Sequence, residues 1–210
     1  VGLTNAAKRL AKQQILVKSL NDVETLGSVF VICSDKTGTL TRNLMTICAV
    51  FDNQENKVAT WQGQQVTCDI SELNLNILGS NIDAYQDGQT IVGDASEAAM
   101  LRLLVGLGHH TEFVKEQEIA FNSANKYQVK AGYLGGKPFV SLKGAAEIVL
   151  KMCKFYQVGS EILEIDAAFQ KLFDQKYRER AGNGERIVGL AYSTATCTNL
   201  TADLLPKIEF

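Results

Sequence analysis

The chain has 210 residues, 46% hydrophobic and 21% charged, with a formal net charge of −2. That length suits one large domain or two small ones, and the absence of basic runs argues against a nucleic-acid partner. No window approaches the roughly 18 apolar residues of a membrane-spanning helix; with Val1 at the start and no signal peptide after it, the chain is expected to be a segment of a longer protein.

Five cysteines (Cys33, Cys48, Cys68, Cys153, Cys197) lack CxxC spacing, and several sit in apolar runs. They read as reduced, buried thiols. His109 and His110 are the only histidines, too few for a zinc-type ligand set.

Leu3, Ala6, Ala7, Leu10 and Ala11 recur at helical spacing, with Lys8, Arg9 and Lys12 between them. Ile15–Val17 is short and β-prone. Asn21 followed by Glu24 predicts a helix start, and Gly27 its end. Val29-Phe30-Val31-Ile32-Cys33 is apolar without alternation, which predicts a strand over 29–34 buried on both faces, as in a parallel sheet. Asp35 would then lie just past the carboxyl end of that strand, where chemistry sits in open α/β sheets.

After Thr41 the pattern changes. Met45, Ile47, Ala49 and Phe51 alternate with other residues, a polar turn spans 52–57, and 58–61 and 65–68 are further short strands. The boundary between two domains falls near Leu44. From Ser71 the period becomes helical, with Leu75, Leu78, Ile82 and Tyr85 on one face. A strand at 90–93 precedes a helix opened by Asp94 or Ser96. Strands follow at 118–122, 126–134 and 139–143, the last two joined as a hairpin through Gly135-Gly136. A helix at 144–152, a helix at 166–181 with Ala167, Leu172, Phe173 and Tyr177 inward, and a strand at 185–192 complete the pattern.

The string Asp35-Lys36-Thr37-Gly38-Thr39-Leu40-Thr41 carries the clearest chemistry. Gly38 allows a tight turn and close approach of a phosphate. Lys36, Thr37 and the loop N–H groups are suited to phosphate oxygens, the surround a carboxylate nucleophile needs to accept a phosphoryl group. An isolated Asp-Lys pair would be a solvated, capping loop; the whole string is not. It resembles the phosphorylation signature of P-type cation-transporting ATPases. The resemblance implies that Asp35 takes the γ-phosphoryl of ATP as an aspartyl-phosphate, with Lys36 and Thr37 beside it. It also implies Mg²⁺ held by Asp35 and Thr37 together with downstream carboxylates.

Four later stretches resemble the nucleotide-binding domain of the same family. Gly93-Asp94-Ala95-Ser96-Glu97 implies Glu97 as acceptor for the adenine amino group; alone it would read as a capped helix start. Phe121-Asn122-Ser123-Ala124-Asn125-Lys126-Tyr127-Gln128 implies Phe121 stacked on adenine, Lys126 near base or sugar and Gln128 lining the pocket; Phe121 alone reads equally well as core. Leu142-Lys143-Gly144-Ala145-Ala146-Glu147 resembles Lys-Gly-Ala-Pro-Glu, with Ala146 in place of Pro. There Lys143 would end a strand and Gly144 open a helix, a favourable anion site. Gly184-Glu185-Arg186-Ile187-Val188-Gly189 implies Arg186 at phosphate or ribose.

The fold implied by the resemblance is mixed α/β and α+β. Residues 1–44 would be the first part of an α/β, haloacid-dehalogenase-like phosphorylation domain. Residues 45–205 would form a nucleotide-binding domain, a mostly antiparallel sheet flanked by helices, and 206–210 the start of a return linker. The motifs look most like those of sodium/potassium and proton/potassium pump catalytic subunits, less like calcium pumps. ATP, Mg²⁺, the transmembrane and actuator domains and a β subunit are the implied partners, on the cytoplasmic side of a plasma membrane. Two other readings remain: a nucleotide-binding module without phosphorylation, and a soluble haloacid-dehalogenase-type phosphatase. The latter would want Asp-x-Asp, where Thr37 stands second. The chain has no Gly-Asp-Gly-x-Asn-Asp or Thr-Gly-Asp string to supply the other Mg²⁺ carboxylates, so ATP binding without turnover is expected of it.

Overall fold

The structure, a computed structural model, describes residues 2–51, 55–57, 70–159, 161–197, 199–202, 205 and 209–210. The chain divides into two compact units, residues 1–43 and 44–210.

The first unit holds two helices, α1 (Gly2–Lys12) and α2 (Leu20–Leu26). The cap of α2 is Ser19, two residues before the expected Asn21. Ser19 Oγ accepts from Asn21 N at 3.3 Å, and Asp22 Oδ2 accepts from Ser19 N at 3.2 Å. This reciprocal pair satisfies helix N–H groups that otherwise lack partners. Ile15–Val17 forms no strand, and neither does 29–34, against expectation. Val29 to Ile32 run without ladder bonds and stand exposed, Phe30 at 98%. An apolar run becomes a strand only by pairing with another, and no strand lies among the described residues of this unit.

The second unit opens with a hairpin, β1 (Ala49–Phe51) against β2 (Glu55–Lys57), shorter than the alternation from Met45 suggested. The strands expected at 58–61 and 65–68, Cys68 and most of the linker at 206–210 lie outside the described residues. Next come α3 (Glu72–Ser80), capped by Ser71, then β3 (Tyr85–Asp87) paired with β4 (Thr90–Val92), then α4 (Ala95–Gly106), capped by Asp94. Tyr85 therefore belongs to a strand, not to the preceding helix.

The remaining elements are β5 (Phe113–Ile119), β6 (Tyr127–Leu134), β7 (Lys137–Ala145), α5 (Ala146–Met152), β8 (Phe155–Val158), β9 (Glu161–Glu164), α6 (Ala167–Gly182) and β10 (Val188–Ser193). The central sheet is antiparallel throughout, in the order β10-β7-β6-β5. Gly135 (φ 54°) and Gly136 (φ 78°) make the β6–β7 turn, the left-handed pair that a two-residue hairpin loop requires. On α6, Phe169 stacks on Tyr156 and Phe173 on Tyr177, while Ala167 and Leu172 are exposed rather than inward.

The sheet has two unlike faces. Val129, Ala131, Val140 and Leu142 pack with Val149 of α5 and with Leu200, Leu205 and Phe210. The opposite face carries Gln128, Lys130, Ser141 and Lys143, all buried. Alternation along β6 and β7, with Gln128 opposite Lys143 and Lys130 opposite Ser141, sorts them so. A second cluster, Leu78, Met100, Leu103 and Leu104, unites α3 and α4 with Val188 and Leu190 of β10.

β5 holds a bulge between Lys115 and Gln117. It sets Glu118 opposite Lys130 on the polar face, and Gln117 and Ile119 opposite Ala131 and Val129 on the apolar one. Lys115, opposite Gly132, keeps the polar face too. Gly132 is held small by this irregularity, since a Cβ there would lie 2.0 Å from Val114 O.

Candidate functional site

Asp35, Lys36 and Thr37 belong to the first unit. Residues 36–40 form one wide turn closed by Thr41 N–H to Lys36 O at 3.1 Å. Gly38 takes φ 80°, a left-handed conformation that costs glycine little. Asp35 Oδ1 accepts from Thr37 N at 3.4 Å, and Thr41 Oγ1 accepts from Gly38 N at 3.4 Å. All these side chains are exposed. Within this unit, then, the turn offers a carboxylate, an ammonium and hydroxyls to solvent.

In the second unit Glu97, Gln128 and Lys143 meet around the polar sheet face. Lys143 pairs with Glu97 Oε1 and donates to Asn81 O at 2.6 Å. Glu97 Oε2 accepts from the N–H groups of Asp83 and Ala84 at 3.1 and 3.2 Å. Glu97 thus ties the 83–84 segment to β7, and three donors already occupy its carboxylate. Gln128 Nε2 donates to Asp83 Oδ2 at 2.8 Å and to Glu118 Oε1 at 2.7 Å. Lys130 Nζ meets Asp83 Oδ1 at 2.5 Å and Ile82 O at 3.2 Å. Lys115 Nζ meets Glu118 Oε2 at 2.5 Å.

Phe121 lies two residues beyond β5, not within a strand, and is 59% exposed. That removes its reading as a core residue. It leads into a turn in which Asn125 N donates to Asn122 Oδ1 (2.7 Å) and Lys126 N to Asn122 O (2.8 Å). Lys126 takes φ 61°, uncommon for a non-glycine residue. Its carbonyl accepts from Ala145 N at 2.9 Å.

Gly144 departs from expectation. β7 runs on through Ala145, because β10 pairs with it through Gly189↔Gly144 and Val188↔Ala145. Gly144 is therefore a strand residue, and α5 begins at Ala146 with no side-chain cap. A Cβ at 144 would lie 2.6 Å from Lys126 O, so glycine here admits the neighbouring turn. Arg186 precedes β10 and donates from Nη1 to Ser96 Oγ at 3.3 Å, beside the start of α4.

Burial pushes the Asp83 carboxyl up, but hydrogen bonds from Lys130 and Gln128 outweigh it and hold it below its ordinary value. Glu118 is held low in the same way, burial opposing bonds from Lys115 and Gln128. The Ser96 N–H lowers Asp94. Burial pushes the Cys153 thiol up to about 11, which suits an unreactive thiol. Cys33 and Cys48 are exposed rather than buried.

Sequence reasoning missed Asp83, Glu118 and Lys130. Asp83 lies 45 and 47 residues from its partners Gln128 and Lys130, so no local pattern joins them. One signal was present: Gln128 and Lys130 form the polar side of the alternation in β6, an inner strand, and a buried ammonium needs a partner.

Residues 71–205 match the family model for the P-type ATPase, cytoplasmic domain N. The chain is 35% identical to the sodium/potassium-transporting ATPase subunit alpha of Tetronarce californica, over 91% of the chain and 21% of that protein. It is 37% identical to the alpha-1 subunit of Catostomus commersonii and to the potassium-transporting ATPase alpha chain 2 of Homo sapiens, with the same coverage. The chain spans about a fifth of the length of these relatives. Since the family model covers well over half of it, the chain belongs to the P-type ATPase family.

Proposed function

We propose that this chain is the ATP-binding segment of a cation pump, with adenine held beside Phe121 and Asp35 as acceptor of the γ-phosphoryl. The observation that carries the reading is convergence. Glu97, Gln128 and Lys143, up to 46 residues apart in sequence, interlock on one sheet face, with the Phe121–Lys126 turn bonded to the end of β7. The exposed Phe121 ring supplies the stacking surface. Lys126 and Arg186 are the cations for sugar and phosphates, and Gly144 leaves room for the turn. The relatives are sodium/potassium-transporting or potassium-transporting by name, which supports a potassium-handling pump; our reading is sodium/potassium exchange by a parent in the plasma membrane. There this segment would face the cytoplasm and work with transmembrane and actuator domains and a β subunit.

In the reaction, an Asp35 carboxylate oxygen attacks the γ-phosphorus, the bond to the β–γ bridging oxygen breaks, and ADP leaves. Asp35 and Thr37 offer a carboxylate and a hydroxyl, the oxygen donors a hard cation takes. Mg²⁺, when bound, would neutralise charge on the transferring group. Among the described residues no group of three or more acidic, histidine or cysteine side chains forms a metal site. At 4 Å, two like unit charges repel by roughly 4 kcal/mol at an effective dielectric near 20. The chain alone is therefore expected to bind ATP without stable phosphate on Asp35.

Calorimetric titration with ATP tests the binding half. Phe121→Ala should weaken binding by about 1–3 kcal/mol, the usual worth of base stacking on an aromatic ring. Equal affinities would remove Phe121 from the site. For the chemical half, ATP should label Asp35 once the downstream half is restored, and no hydroxylamine-sensitive phosphate there would refute it; such phosphate on this chain alone would show that the transfer needs no residue outside it.

A further inference from the structure

Gln128 is buried on the polar sheet face, and both hydrogens of its side-chain amide are taken. One goes to Asp83 Oδ2 and the other to Glu118 Oε1. Which end of such an amide is nitrogen is normally decided by its network. Here the network leaves one answer, because ionised carboxylates accept and cannot donate. Turning the amide over would set its carbonyl oxygen against two anions. Each anion is itself pinned, Asp83 by Lys130 and Glu118 by Lys115. Gln128 Oε1 is thus directed away from both carboxylates, and no donor among the described residues meets it. The other acceptor suited to a base amino group, Glu97, already holds Lys143 and two backbone N–H groups.

We infer that Asp83 and Glu118 are specificity-determining positioning residues: by fixing the Gln128 amide with its oxygen open, they make the site choose a 6-amino purine over a 6-oxo purine. The adenine amino group donates to Gln128 Oε1. A 6-oxo purine sets an oxygen against that oxygen, and a site built to receive a donor discriminates against an analogue lacking it. The inference rests on the ATP-binding reading above.

The test is titration of the 210-residue chain with ATP and with inosine triphosphate, which differs at the purine 6-position and its adjoining proton. Wild type should prefer ATP. Glu118→Gln and Asp83→Asn each replace an obligate acceptor with a group that also donates, so Gln128 can turn over. The ATP-to-inosine ratio should then narrow by roughly 2- to 10-fold, the scale of one neutral hydrogen bond. A merely structural role would weaken both nucleotides by the same factor. Should Asp83→Asn fail to fold, with Lys130 losing its anion, Glu118→Gln decides alone. An unchanged ratio overturns the inference, as does equal wild-type binding of the two nucleotides; ATP binding would still stand in both cases. A wild-type chain that binds neither nucleotide overturns both readings.

Discussion

Two apolar runs, similar in composition, meet opposite fates in this chain. Val29 to Cys33 in the first unit stand exposed without a ladder bond. Phe139 to Leu142 in the second lie in β7 between β6 and β10, with Leu142 at 0% exposure. β-propensity measures fit to a half-buried pleated surface, so it has effect only where that surface exists. The turn at 36–40 needs no such surface: one glycine at positive φ and a few short-range bonds shape it.

The strongest way to break this contrast is a pair of truncations. Leu142→Ala should cost about 2–5 kcal/mol, as filled core positions do, measured by urea denaturation. Phe30→Ala should stay within about 0.5 kcal/mol, as exposed substitutions do. A large loss at Phe30 would mean the run is packed after all.

A subtler pair lies on the polar face. The Lys130 side chain is 3% exposed and that of Asp83 is 50% exposed. Asp83→Ala leaves a buried ammonium with only the Ile82 carbonyl. Lys130→Met leaves a carboxylate that water and Gln128 can still serve. Asp83→Ala should therefore be the costlier change, at about 1–3 kcal/mol, the penalty for stranding a buried polar group. The reverse order, read from melting midpoints, would show that burial is not what makes the pair asymmetric.

The smallest effect is on pH dependence. Asp83 and Glu118 sit below their ordinary values of 3.8 and 4.5, so the unfolded chain takes up these protons first as pH falls. Their contribution is complete above those ordinary values and is lost as pH drops through the lowered ones. Glu118→Gln should thus be less stable than wild type at neutral pH, with the two denaturation midpoints converging in acid. A constant gap would remove Glu118 from the titrating set.

What could be read from sequence tracks the range of the interactions. The helix starts near Ser71, Asp94 and Asp166 and the glycine pair at 135–136 depend on bonds within a few residues, and their positions were legible, though of the three only Asp94 was read as a cap, with Ser96 as the alternative. The β8–β9 hairpin was overlooked, although Gly159 between its strands is a turn signal and takes φ 58°. The end of β7 was misjudged at Gly144 because its pairing partner, Gly189, lies 45 residues on. The motifs that name the candidate site residues are local strings and stand in the sequence alone. The carboxylates that orient Gln128 were not legible there, since no spacing rule links Asp83 to β6.

The bulge at Lys115/Gln117 has a consequence for inheritance. In a regular strand a single residue gained or lost turns every following side chain to the other face, but here the bulge already absorbs one extra residue, Glu116. Removing Glu116 alone would leave Lys115 opposite Gly132, Gln117 opposite Ala131 and Glu118 opposite Lys130, a regular ladder with both faces kept. Descendants of this chain can therefore lose the bulge residue with both faces intact, while a single residue gained between Gln117 and Glu118 would turn Glu118 away from the face it shares with Gln128.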